Sequence, residues 1–195
     1  MDLILTIIMG YLFGAIPTAL IIGKRSNIDI RKHGSGNIGG TNTFRVLGKK
    51  AGFIVAIVDV LKGFIPAAIG YLIGGELMAI FAGFSASIGH SYSIFAGLKG
   101  GKSVATSAGV MLVINPISIL AGALVFALVL FTTKYVSLSS MLAASTVAIT
   151  ILLMEGSVAL KIAGIFFALF IIIRHHSNIK RLLQGTESRA FQKKK

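Results

Sequence analysis

The chain has 195 residues, 55% of them hydrophobic and 13% charged, with a mean hydropathy of +0.88. A soluble domain devotes about 25% of its residues to charge, so this chain cannot furnish a water-facing surface and must bury most of itself in lipid or among helices. The net charge of +13 suits cytoplasmic loops and anionic headgroups better than nucleic acid, and no nucleic-acid partner is expected. The absence of cysteine excludes a disulfide framework, a thiolate nucleophile and a Cys-based metal site.

A helix needs about 20 apolar residues to cross the hydrocarbon core. The first candidate, Leu3–Gly23, lacks a preceding basic region and a cleavage pattern, and reads as a retained span rather than a signal peptide. Further spans are expected at Gly52–Ile73, Leu77–Phe95, Val104–Ile114, Ile117–Thr132, Val136–Met154 and Val158–Ile173. The fourth is short, about 17 Å of helix, and stops at Asn115-Pro116, where proline signals a turn. With seven crossings and the N-terminus outside, 17 of the 19 basic residues fall on one side. The other side then holds Asp2, Glu76, Glu155 and Lys161. Merging 104–132 into one span would put the basic tail outside, against the positive-inside tendency. The expectation is an all-α, polytopic membrane protein of one domain, 1–195, with a cytoplasmic C-terminus. Its functional face comprises loops 24–50 and 96–103 and the tail 174–195. The Lys193-Lys194-Lys195 run either contacts anionic headgroups or is simply solvated.

Two loops carry the chemistry. The segment His33-Gly34-Ser35-Gly36-Asn37-Ile38-Gly39-Gly40-Thr41-Asn42, followed by Arg45, offers glycines that let backbone N–H groups converge on an anion. Ser35 and Thr41 add hydroxyls, Asn37 and Asn42 add amides, and Arg45 adds a fork suited to phosphate. The plain alternative is a flexible polar loop. Gly97-Leu98-Lys99-Gly100-Gly101-Lys102-Ser103 precedes the short fourth span, and a glycine turn, a lysine and a helix N-terminus together suit an anion. Ala96 and the lack of a preceding strand rule out a nucleotide P-loop.

Beyond them, Arg174-His175-His176-Ser177-Asn178 closes the last span. His175 and Asn178 share a helix face, whereas adjacent histidines do not favour a metal. Asp59 and Lys62, three apart within a span, are expected to pair as a structural salt bridge, with an ion pathway or a snorkelling lysine as alternatives. His90, Ser137 and Ser140 are polar residues expected to point inward. Gly70, Gly74, Gly109 and Gly122 require only close helix packing.

In this order the clusters resemble the bacterial acyl-phosphate:glycerol-3-phosphate acyltransferases over most of the chain. Gly34-Ser35-Gly36-Asn37-x-Gly39-x-Thr41-Asn42-x-x-Arg45 is similar to the family's first motif, and Asp59-x-x-Lys62-Gly63 to its second-span signature. Gly89-His90-x-x-x-x-Phe95 and Gly100-Gly101-Lys102-x-Val104-Ala105-Thr106 are similar to its central motif. Arg174-His175-x-x-Asn178-Ile179-x-Arg181-Leu182 with Gly185-x-Glu187 is similar to its last. The family commonly has proline at Ser93, phenylalanine at Leu98 and glycine at Ser103. Ser103 makes its turn less permissive, though a serine there can cap the following helix.

The resemblance implies a seven-helix enzyme of phospholipid biosynthesis in the bacterial cytoplasmic (inner) membrane, with its site facing the cytoplasm. Its activity would be transfer of a fatty acyl group from acyl phosphate to the 1-position of glycerol 3-phosphate, giving lysophosphatidate and phosphate. On this reading Ser35, Gly36, Asn37, Thr41, Gly100, Gly101 and Ser140 hold acyl phosphate. Arg45, Lys102, His175 and Asn178 hold glycerol 3-phosphate, and Ser35, Arg45, Lys102 and His175 carry catalysis. Acyl phosphate is already activated, and the chain lacks both a Gly-x-Ser-x-Gly elbow and a His-x-x-x-x-Asp pair. Direct transfer without an acyl-enzyme follows, with His175 as general base the main competitor. No metal, nucleotide or coenzyme A is expected as cofactor. The principal rival is a transporter for an anionic solute, which should place broken helices and its site near the midplane.

Overall fold

The computed structural model describes residues 3–190; Asp2 and the Lys193–Lys195 run lie outside them. Among the described residues every regular element is helical. The chain forms two compact units, Met1–Ile114 and Asn115–Lys195.

The first unit begins with α1 (Leu3–Ala15) and α2 (Thr18–Arg25). The expected span Leu3–Gly23 is therefore interrupted. Pro17 has no N–H to continue the ladder and disfavours a helical Ile16 before it. After a 3-10 turn at Ile30–Lys32 come α3 (Gly40–Leu47) and α4 (Lys49–Ser91), then a second 3-10 turn at Ile94–Ala96 and α5 (Val104–Ile114). α4 breaks at Gly74 and Gly75, where Gly75 takes φ 69°, a left-handed value that glycine adopts without steric cost. Its two arms carry the expected spans Gly52–Ile73 and Leu77–Phe95. They fold back closely enough that a Cβ on Gly70 would stand 2.6 Å from the Met78 carbonyl oxygen.

Small residues make these contacts possible. A Cβ on Gly10 or Gly14 of α1 would overlap the Ala82 or Ala86 carbonyl of α4, and one on Gly109 of α5 would overlap the Val60 carbonyl. Without water to drive apolar helices together, backbone approach of this kind supplies the dispersion energy that holds membrane helices. Beneath the polar loops, Ala19, Ile30, Ile38, Val55 and Ala96 form a buried cluster, with Leu20, Ile22 and Leu47 packed on it.

The second unit contains α6 (Pro116–Thr133), α7 (Val136–Leu153), α8 (Val158–Arg174) and α9 (His176–Leu183). The break expected at Asn115-Pro116 is present. Asn115 Oδ1 accepts from Ser118 N at 3.0 Å, while Pro116 takes the first helical position, where a missing N–H costs nothing. Gly122 packs on Val147, as a packing glycine should. Leu120, Leu124, Leu128 and Phe131 on α6 remain exposed, as lipid-facing side chains would.

Among the described residues four helical stretches are long and apolar enough to cross a membrane: Leu3–Arg25, Lys49–Ala96, Pro116–Thr133 and Val136–Leu153. α8 and α9, bent by 58° at His175, make a fifth if taken as one, and α5 is a shorter apolar helix. Thus the helical membrane class is present, while the count reached by length and composition falls below the seven expected. One of the two missing spans is lost because the 48-residue stretch Lys49–Ala96 contains two expected spans, the other because Val104–Ile114 is too short.

Candidate active site

Asn42 organises the first loop. Only 1% exposed, it donates from Nδ2 to the Ile30 and His33 carbonyls, both at 3.1 Å, and accepts at Oδ1 from Ser35 N at 2.9 Å. Both amide protons are thereby engaged. Asn42 is a scaffold of the loop rather than one of the ligand amides expected there. Gly36 N donates to the His33 carbonyl, and Asn37 N approaches Ser35 Oγ at 3.5 Å. The amides of 35, 36 and 37 thus have acceptors within the loop.

The outward donors are different ones. Ser35 and Thr41 are exposed and Asn37 is half-buried. The amides of Gly40, Thr41 and Asn42 open α3 and have no acceptor within it. A Cβ on Gly39 would stand 3.0 Å from Asn37 Nδ2, which places that side chain over the helix start. A helix N-terminus with a hydroxyl and an amide beside it is chemically suited to an anion. Arg45, on the same short helix, is half-buried.

The Gly-Gly-Lys loop is clamped against the end of α4. Gly101 N donates to the His90 carbonyl at 3.1 Å, and Ser91 Oγ donates to the Gly101 carbonyl at 3.3 Å. Ser103 takes φ 58°, and its hydroxyl meets Ser87 O at 2.6 Å and Ser91 Oγ at 2.8 Å. A left-handed serine costs roughly 1 kcal/mol, which these buried hydrogen bonds offset. The serine that seemed free to cap α5 thus lies on α4. A Cβ on Gly101 would overlap His90 Nε2 and stand 2.9 Å from the Ile38 carbonyl oxygen. At that point the two loops meet, so the segments bearing Ser35, Thr41 and Arg45 and bearing Gly100 and Lys102 share one end of the first unit.

Asp59 and Lys62 form the expected salt bridge, Oδ1 to Nζ at 2.7 Å, with both residues only 4% exposed. A snorkelling Lys62 is therefore not observed. His90 points inward, its Nδ1 3.8 Å from Asp59 Oδ1. These three side chains line a small pocket of about 10 Å³ with Thr18, Ser93, Lys99 and Gly100.

In the second unit His175, buried, marks the bend between α8 and α9. Its Nδ1 lies 2.8 Å from the Ile171 carbonyl. A carbonyl only accepts, so Nδ1 carries a proton in this contact. Asn178 Nδ2 donates to Glu187 Oε1 at 2.6 Å; Ser137 Oγ donates to the same oxygen at 2.7 Å, and Arg181 Nε to Oε2 at 2.7 Å. Burial pushes the Glu187 carboxyl up, but these three donors outweigh it and hold it below the ordinary carboxylate range. Ser140, also buried, donates to the Val136 carbonyl at 2.8 Å. Sequence reasoning singled out Ser140 and missed the role of Ser137, whose partner lies fifty positions away.

The carboxylates of the first loop and of the tail are both poor bases. Asp29 is held at about 2, chiefly by the Arg31 side-chain hydrogen bond, with Oδ1 and Oδ2 each 2.9 Å from the guanidinium. Glu187 is committed to its three donors.

Among the described residues, an all-helical fold with membrane-length apolar helices carries hydroxyl, amide and cationic groups on short loops, a set suited to an anion. The family model described as glycerol-3-phosphate acyltransferase matches residues 4–185. A glycerol-3-phosphate acyltransferase of Macrococcus caseolyticus is 50% identical over the whole of both chains. One from Bacillus cereus, named glycerol-3-phosphate acyltransferase 2, is 49% identical, covering 97% of this chain and 96% of its own. The crystal structure of PlsY (YgiH), an integral membrane glycerol 3-phosphate acyltransferase in its glycerol 3-phosphate form, superposes with a TM-score of 0.93. It has 39% identity and covers 96% of this chain and 94% of that one. The chain belongs to the glycerol-3-phosphate acyltransferase family.

Proposed function

We propose that the donor is acyl phosphate and that the acyl group goes to the 1-hydroxyl of glycerol 3-phosphate, giving lysophosphatidate and inorganic phosphate. The hydroxyl oxygen bonds to the acyl carbon as the bond from that carbon to the phosphate oxygen breaks. The departing phosphate takes the hydroxyl proton, so no acyl-enzyme and no external base are needed. The single observation that carries this is the state of the loop and tail carboxylates. Asp29 is bound to Arg31, and Glu187 to Ser137, Asn178 and Arg181. A donor that brings its own proton acceptor suits a site so equipped.

In this reading Ser35, Asn37 and Thr41, with the start of α3, bind the acyl-phosphate head, and Gly36, Gly100 and Gly101 shape the loops that hold it. Ser140 is assigned to the same substrate by rotating its hydroxyl from Val136. Arg45, Lys102, His175 and Asn178 are assigned to glycerol 3-phosphate, the cations neutralising its phosphate. Catalysis comes from positioning and charge stabilisation. The proposed topology is seven crossings with the N-terminus outside and the loops at the cytoplasmic face of the inner membrane. The acyl chain would lie between helices, open to lipid.

Purified protein given palmitoyl phosphate and glycerol 3-phosphate should release phosphate only when both are present. Release independent of glycerol 3-phosphate, or equal activity with acyl-coenzyme A, would overturn the assignment.

A further inference from the structure

The Asp59–Lys62 pair is expensive where it stands. Two charges removed from water gain little over a well-packed apolar pair, and charges within membrane helices commonly mark function. A pair serving only to neutralise itself would have no third partner. Asp59 Oδ1 has one: it lies 2.7 Å from Lys62 Nζ and 3.8 Å from His90 Nδ1. The opposite edge of the His90 ring abuts Gly101, where a Cβ would overlap Nε2, and the His90 carbonyl receives the Gly101 N–H.

Beside the buried ring, His90, Asp59, Lys62, Lys99 and Gly100 bound a space of about 10 Å³, room for one water and not for a swing of the imidazole. The Thr18 hydroxyl, which also lines it, has no hydrogen-bond partner among the described residues. On this side the ring faces Asp59 Oδ1, which Lys62 holds at 2.7 Å.

We propose that Lys62, Asp59 and His90 form a buried positioning chain that sets the Gly100–Gly101–Lys102 loop for acyl transfer. The ion pair on the first arm of α4 orients a histidine on the second arm. That histidine supplies the wall and the carbonyl against which the glycine turn closes, placing Lys102 one residue beyond. The proposal rests on the acyltransferase reading for its effect on rate, but not for its effect on the loop.

The test pairs two variants with two readouts. The double variant Asp59→Leu/Lys62→Met removes both charges and strands neither; His90→Ala removes the ring with no buried charge involved. Hydrogen exchange of the peptide spanning Gly100–Lys102 reports the loop directly, and glycerol-3-phosphate-dependent phosphate release reports kcat and KM. The expected result is that each variant melts near the wild type and exchanges about tenfold faster at the loop. Each should also lose kcat by about a hundredfold, the cost of misplacing a reacting group, with a smaller change in KM. The triple variant should be no worse than His90→Ala, because one path is cut twice.

Unchanged loop exchange with wild-type kcat in either variant would overturn the proposal, as would losses that add in the triple variant. Should the double variant fail to fold, His90→Ala decides the matter alone. Faster loop exchange in a protein whose wild type shows no acyl transfer would uphold the positioning chain and sink the acyltransferase reading.

Discussion

Asn178 Nδ2 lies 2.6 Å from Glu187 Oε1, so a residue assigned to substrate is held by a carboxylate in the tail. Glu187 also ties α7 to α9 through Ser137 and Arg181. Glu187→Gln removes the charge that Arg181 faces and should cost about 1 kcal/mol, because Arg181 is 35% exposed and solvent screens the stranded charge. Thermal melts in detergent measure it. The carboxyl titrates low in the fold, so its contribution is complete above the unfolded value of about 4.3. That contribution is lost as pH falls through the native value. Acid lability of the wild type over that window should be blunted in Glu187→Gln.

Asn42→Asp should be worse than its near-identical shape suggests. A carboxylate cannot donate to the Ile30 and His33 carbonyls that Nδ2 now serves, and two buried acceptors would face a negative charge. A loss of about 2–3 kcal/mol follows, with release of the 33–42 segment. Proteolysis and melting should show it, and the KM for acyl phosphate should rise.

Gly101→Ala and Gly97→Ala separate space from backbone strain. Nothing stands within 4 Å of a Cβ on Gly97, although φ is 65° there, whereas Gly101 is hemmed by His90 and Ile38. Gly97→Ala should cost about 1 kcal/mol of stability and little rate. Gly101→Ala should lower kcat about a hundredfold by displacing Lys102.

His175→Gln tests the proton route. If the leaving phosphate takes the proton, the variant raises the KM for glycerol 3-phosphate and keeps the wild-type pH–rate profile. Loss of an ionisation near neutrality, with kcat down about a hundredfold or more, would make His175 the base.

Much of the fold was legible because single residues impose it. Asn115-Pro116 announces its own helix start, and the i,i+3 spacing of Asp59 and Lys62 predicts their contact, whereas Gly74, read as a packing glycine, instead helps break α4. Pro17 carried the same kind of signal, but it sits inside an apolar run whose length masked it. The candidate site was less legible, for a physical reason. Residue types say which groups can bind phosphate, whereas their direction depends on contacts distant in sequence. Asn42 turns inward because the carbonyl of Ile30 is there to receive it. Gly101 faces His90 because α4 ends beside it. Ser137 matters because the chain returns at Glu187. No local pattern encodes those three encounters.

The interruption at Pro17 has a consequence for exchanging segments among relatives. Ser93 Oγ donates to the Ala15 carbonyl at the end of α1, and lipid offers such a carbonyl no substitute partner. Ser93 also sits at φ −67°, a value proline holds without strain. Proline there would preserve the backbone path yet delete the donor. The 93–103 loop of a relative that has proline at this position should therefore work here only when the end of its first helix is carried over with it. The two segments behave as one heritable piece, although they are far apart along the chain.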